Sequence, residues 1–228
     1  MTRIVKDPEV RRNEILDTAE RLMASKGYEQ VSIQDIIDEL QIAKGTVYHY
    51  FDSKVALLMA LVERIGEKAK QLVLPIVSDR ELSAQDKLVR FFDVLDRYKR
   101  ANKDLIFSFM RVWYTDENAL FRNRLYSTRI KWLAPLLTQI IQEGVEEGVF
   151  NTPYPDQAAR MIIALLEDLG YAIAEILLVE ENERFDFSQM VRLGEATADA
   201  MERLLGMKSG HLLHAWREDF LRWRELLE

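Results

Sequence analysis

The chain has 228 residues, 48% hydrophobic and 30% charged, which is ample material for one large or two small domains and excludes a disordered protein. Zero cysteines exclude disulfides, thiolate metal sites and cysteine nucleophiles, and fit a reducing cytoplasm. The formal net charge of −7 excludes a generally basic nucleic-acid binder, so contact with a polyanion would depend on cations gathered locally on one face.

Residues 1–7 read as a short basic arm without the apolar core of a signal peptide. Pro8 is acceptable in the first turn of a helix, and Ile15, Ala19, Leu22 and Met23 give that helix its core stripe. Gly27 stops it. Ser32 caps a second helix, with Asp35 three residues on in capping-box position. Its apolar positions Ile33, Ile36, Ile37 and Leu40 recur at i, i+3, i+4 and i+7. Gln41, Ile42 and Ala43 form a short break before a third helix, Lys44 to Phe51, whose Val47 and Phe51 can face the core.

Two short helices joined by such a turn make a helix-turn-helix, the second helix of which enters the DNA major groove. The outward residues suit that task. Lys44 and Lys54 carry charge for phosphates, Thr46, Tyr48 and Tyr50 carry hydroxyls, and His49 can address a base edge or a phosphate. Gly45 has no side chain to hold the backbone away from a sugar-phosphate strand. Arg3, Lys6, Arg11 and Arg12 can join Lys44 and Lys54 on one face.

The run GYEQVSIQDIIDEL followed by AKGTVYHYFDSK, behind an amphipathic first helix, resembles the tetracycline-repressor (TetR) family of transcriptional regulators. The resemblance covers the first quarter of the chain; the remainder agrees in length and helical pattern. It implies a homodimer with a four-helix seam in which each subunit reads half of a palindromic, double-stranded operator. By matching positions, it implies that Thr46, Tyr48 and Lys54 hold phosphates. Gln34, Lys44, His49 and Tyr50 would approach bases, with Gly45 allowing close contact. Two positions depart from the family pattern. Gln41 stands where Gly is frequent, and a left-handed non-Gly residue costs roughly 1–2 kcal/mol. Ala43 stands where Ser or Thr is common, so the third helix forgoes a cap worth about 1 kcal/mol.

Beyond the head, a helix continues from Lys54 through Leu57, Leu58, Leu61 and Ile65, and Pro75 is expected to end it. Ser83 or Ala84 opens another, to about Ala101, with Leu88, Phe91, Phe92 and Leu95 apolar. Asp104 is placed to cap an aromatic-rich helix, Leu105 to Tyr114. A long helix follows from about Glu117 to Glu147, with Pro135 removing one backbone bond, and residues 148–155 read as a loop. The helix from Asp156 to about Leu178 is apolar over most of its circumference. Glu167, Asp168, Tyr171 and Glu175 share one stripe, and Gly170 with Ala174 makes a small-residue stripe suited to a dimer contact. Those three acids exclude a membrane crossing. Helices near Ser188–Leu205 and His211–Leu227 complete the chain, and no strand pattern appears.

The pattern therefore predicts an all-α chain with a DNA-binding head over residues 1–53 and a helical ligand-binding and dimerisation body over 54–228. Aromatic residues are core by default, yet their surplus beside two acids suits an apolar effector pocket formed by Phe109, Trp113, Tyr126, Ile130, Asp168 and Tyr171. An aromatic or aliphatic ligand, neutral or cationic, is the expected class. Asp168 and Glu175 sit about 10.5 Å apart along a helix axis, beyond the separation glycosidase carboxylates need. His211, His214 and Glu218 span two helical turns, too far for one ion unless only a pair binds. With no phosphate-binding, dinucleotide, zincin or nucleophile-elbow motif, no cofactor, metal or catalytic residue is expected. The competing reading is an all-helical carrier or enzyme whose head is only structural.

Overall fold

Ten helices make up all the regular structure among the described residues of the computed structural model, which covers 7–113, 118–179, 187–208 and 210–227. They are α1 (Pro8–Lys26), α2 (Ile33–Leu40), α3 (Lys44–Tyr50), α4 (Lys54–Ser78), α5 (Ala84–Ala101), α6 (Lys103–Trp113), α7 (Ala119–Glu146), α8 (Pro155–Val179), α9 (Phe187–Leu205) and α10 (His211–Leu227). Arg3, Lys6, Tyr114, Glu117 and the side chain of Trp113 lie outside the described residues. The chain divides into two compact units: Met1–Lys68 with Asn102–Val112, and Ala69–Ala101 with Trp113–Glu228.

In the first unit, Asp7 caps α1 by accepting hydrogen bonds from the Glu9 and Val10 amides at 2.9 and 3.4 Å. Gly27 ends it at φ 83°, its N–H donating to Met23 O. The fully buried Ile15, Leu16, Ala19 and Met23 then meet Ile36 of α2 and Val47 of α3 in one core. Leu57, Leu58 and Leu61 of α4 enter the same core, as do Leu105 and Phe109 of α6. Arg64 of α4 also pairs with Asp17, at 2.5 Å, and with Glu20, both on α1. The expected division after residue 53 thus cuts through a buried surface: residues 54–68 pack with the head, together with α6.

The second unit is built on α5, α7, α8, α9 and α10 around Phe91, Leu137, Ile140, Ile141 and Ile162, all buried. Carboxylates from elsewhere in the chain cap two of its helices. Glu147 accepts from the Ala84 amide at the start of α5. Glu202 of α9, 2% exposed, accepts from the amides of Gly210, Leu212 and Leu213 at the start of α10. The α9–α10 contact is close: a Cβ on Gly194 would lie 1.8 Å from the Phe220 ring. Between α5 and α10, burial and the neighbouring Asp96 carboxylate push Asp219 up to about 6.

Three expectations need correction. Pro75 lies inside α4, which runs three residues further. The lost backbone bond is offset because Val73 and Val77 are buried and the Val77 carbonyl accepts a hydrogen bond from Lys87 Nζ at 3.1 Å. Lys87 is itself held by Glu143 at 2.6 Å. Asp104 sits inside the first turn of α6 and does not precede it, although its charge still suits a helix N-terminus. Ala174 is fully buried within the single chain, so of the Gly170/Ala174 stripe only the half-buried Gly170 is left for a second copy. Beyond Asp156 and Arg160 near its start, the exposed positions of α8 with described side chains are Gln157, Met161, Ala164, Asp168, Tyr171 and Glu175, which follow one another in steps of four and three. That spacing places them along one face of the helix.

Candidate nucleic-acid interface and ligand groove

The helix-turn-helix is specified by short-range contacts. Ser32 and Asp35 form the reciprocal capping box, with the Asp35 amide donating to Ser32 Oγ at 3.2 Å and the Ser32 amide donating to Asp35 Oδ2 at 2.7 Å. The Ser32 hydroxyl and amide hold the Asp35 carboxyl below its usual value. α2 ends at Gln41 with φ 50° and ψ 44°, a left-handed conformation held by the Gln41 amide on Asp38 O and the Ile42 amide on Ile37 O. Such a conformation costs a side-chain-bearing residue roughly 1–2 kcal/mol. Ala43 then starts α3 without any side-chain cap.

Only one side of α3 is used by the protein itself. Val47 is fully buried and Phe51 is 3% exposed, while Thr46 and Tyr50 are half-buried. Lys44, Gly45, Tyr48 and His49 are exposed. A Cβ at Gly45 would meet nothing within 4 Å, so internal packing does not demand glycine there. Lys44 Nζ lies 5.5 Å from the Tyr48 ring centroid, and the His49 and Tyr50 rings meet edge-on at 5.1 Å. Lys54 is steadied by the Tyr28 ring, 4.1 Å from Nζ, and donates to Glu29 O at 3.3 Å. Burial lowers its pKa from the ordinary lysine value, partly opposed by Glu29. On α2, the exposed Gln34 donates its amide to Asp38 Oδ1 at 2.7 Å, so reading a base would require it to exchange that partner. The wider basic face is partly engaged as well: Arg11 pairs with Glu14, and Arg12 lies 5.5 Å over the Phe51 ring.

The ligand candidates are divided. Tyr126 of α7 and Asp168 and Tyr171 of α8 come together in an open groove of about 400 Å³, lined also by Ala119, Arg122, Asn123, Ala164 and Glu167. Ile130 is half-buried against the second unit's core and is not among the lining residues. Phe109 is 5% exposed in the core of the first unit. Neither carboxylate is a buried, unpaired charge: Asp168 is exposed, and Glu167 pairs with Arg129 at 2.5 Å. The desolvation cost that favoured a cationic ligand is therefore small. Sequence reasoning missed Arg122 and Asn123. They lie four and three residues before Tyr126, and that one-face spacing was the available signal. His214 reaches Glu218 at 3.7 Å, and among the described residues no group of three or more acids and histidines is placed to hold a metal ion.

Residues 15–61 match the family model described as "Bacterial regulatory proteins, tetR family". Residues 108–178 match the one described as "Tetracyclin repressor-like, C-terminal domain". The uncharacterized HTH-type transcriptional regulator YuxN of Bacillus subtilis (strain 168) is 42% identical over 62 residues, which span 27% of this chain and 21% of YuxN. The HTH-type transcriptional repressor KstR2 of Rhodococcus jostii (strain RHA1) is 24% identical over 153 residues, 62% of this chain and 69% of KstR2. The crystal structure of a transcriptional regulator from Cytophaga hutchinsonii ATCC 33406 shares the fold at 16% identity. Its TM-score is 0.66, covering 88% of this chain and 98% of that one.

Proposed function

The chain belongs to the TetR family of bacterial regulatory proteins, and from that premise we propose that it is a ligand-responsive repressor of transcription acting in the cytoplasm as a homodimer on a palindromic operator. The observation that carries this reading is α3, a helix anchored by Val47 whose exposed positions are a lysine, a glycine, a tyrosine and a histidine. A helix of seven residues with that surface has no packing role on its outer side, and its side chains are donors for phosphates and base edges. Thr46, Tyr48 and Lys54 are assigned to phosphates, and Gln34, Lys44, His49 and Tyr50 to bases. A boundary near residue 53 marks the end of the DNA-reading helices, not the end of the unit that carries them.

The effector is assigned to the α7–α8 groove. Tyr126, Tyr171 and Ala164 suit an aromatic or aliphatic body, and Arg122, Asn123 and Asp168 suit a polar end. The same α8 stripe is the proposed dimer seam, so Ala164, Asp168 and Tyr171 belong to both surfaces, and occupancy of the groove bears on how two copies meet. Coupling of about 1–3 kcal/mol would weaken DNA binding roughly 5–150-fold. α4 carries the chain without interruption from the first unit into the second and supplies the covalent route for that coupling.

Met161 tests the seam because it is 53% exposed and stands outside the groove lining. Met161→Glu should sediment as a folded monomer, its two like charges meeting across the two-fold axis, and should bind a two-half-site duplex at least about tenfold more weakly. A well-folded Met161→Glu dimer of native affinity would place the seam elsewhere.

A further inference from the structure

Five described residues have positive φ, and four of them, at 27, 148, 206 and 210, are glycines. The fifth is Gln41, in the turn between α2 and α3. Glycine enters this region without a Cβ penalty, so a glutamine there is a local conflict that the other described residues avoid. No side-chain hydrogen bond among the described residues offsets it. The two hydrogen bonds that close the turn use the backbone amides of Gln41 and Ile42 and would form equally with glycine. The Gln41 side chain is exposed, and among the described residues its carboxamide has no hydrogen-bond partner. A strained, exposed residue whose polar group makes no internal hydrogen bond points to an external one.

We propose that Gln41 is a DNA-contacting residue whose carboxamide N–H donates to a phosphate oxygen of the strand bordering the groove that α3 enters. The inference rests on the DNA-binding reading above. Its chemistry follows from position. In a helix-turn-helix the first helix crosses the sugar-phosphate backbone while the start of the second meets the base edges. A residue three positions before Lys44, in the turn joining the two, therefore lies at the groove's edge. A neutral amide there fixes register by a hydrogen bond and, unlike Lys54, releases no counterion. Glutamine also reaches further than the glycine that the backbone prefers.

The test compares Gln41→Gly and Gln41→Glu with the native chain, using two probes: a duplex that the chain selects from a randomised pool, and a random-sequence duplex of the same length. Gln41→Gly should raise Tm by about 2–4 °C. It should also weaken binding to both duplexes about tenfold with an unchanged salt slope. Gln41→Glu should lose more, because a carboxylate faces the phosphate. Native affinity in Gln41→Gly overturns the proposal, and so does a fall in Tm, which would mean that the side chain supports the turn. A loss confined to the selected duplex overturns the phosphate assignment in favour of base reading. The triple variant Lys44→Ala/Tyr48→Ala/Lys54→Ala separates the two levels. If it loses binding while Gln41→Gly does not, only the Gln41 contact is wrong. If neither loses binding, the helix-turn-helix reading is wrong.

Discussion

Replacing Lys44, Tyr48 and Lys54 together by alanine should reduce affinity for duplex DNA by at least about 100-fold while leaving helix content intact. Lys44 and Tyr48 are exposed on α3, and neither enters the core fixed by Val47 and Phe51. Lys54 does have an internal role, over Tyr28 and on Glu29 O, so the variant should lose up to about 1 kcal/mol of stability. The loss in binding is larger because a phosphate-neutralising cation, a phosphate-facing hydroxyl and a base-contacting lysine are removed from one contact surface. Loss of the phosphate contact at Lys54 should flatten the plot of log affinity against log salt by about one unit per half-site, near two for the dimer. Lys54→Ala alone should weaken all sequences alike. Gln34→Ala and Tyr50→Ala should instead cost roughly 1–3 kcal/mol on a selected duplex and little on a random one. Unchanged duplex affinity in the folded triple variant would remove α3 from the interface.

Glu202→Ala should be among the most destabilising single changes in the second unit, at about 2–4 kcal/mol by denaturant midpoint. Its carboxylate is 2% exposed and accepts from three amides, at 2.7, 2.6 and 3.2 Å from Gly210, Leu212 and Leu213. Those amides open α10, where a negative charge also meets the positive end of the helix. Without the carboxylate, three donors lose their partner and the first turn of α10 should fray. That turn carries Leu212, fully buried, and leads to Trp216 and Phe220, which close over the core. Glu202→Gln retains one acceptor oxygen and should fall between alanine and the native chain. A midpoint for Glu202→Ala within about 0.5 kcal/mol of native would show that water or neighbouring carbonyls satisfy α10 instead.

The contrast between these two regions marks what the amino-acid sequence makes legible. The head was readable because its signals are local. The Ser32–Asp35 box spans three residues, the Ile36/Ile37 and Val47/Phe51 pairs follow helical spacing, and the Gln41 and Ala43 departures act where they stand. Glu202, Glu147 and Lys87 were not readable, because each acts on a helix end 8 to 63 residues away in the chain. Pro75 misled for a related reason. The rule for proline in a helix is local, whereas the compensation comes from buried valines and from Lys87 on another helix. α6 misled through composition. Its aromatic residues suggested a pocket, but Phe109 and Leu105 are spent on the core of the first unit. Along α8 the apolar pattern was legible, but not which stripe is consumed internally, since Ala174 and Met161 differ in burial and not in type of signal.

The most direct test of the central claim is selection of duplexes by the full chain from a randomised pool, with the selected site then mapped by footprinting. Two recognition helices related by a two-fold axis should enrich an inverted repeat. Its half-sites should be centred about 34–36 Å apart, or a multiple of that, with protection on one face of the duplex. Failure to enrich any sequence, with binding to random duplexes no tighter than that of the Lys44→Ala/Tyr48→Ala/Lys54→Ala variant, would contradict it.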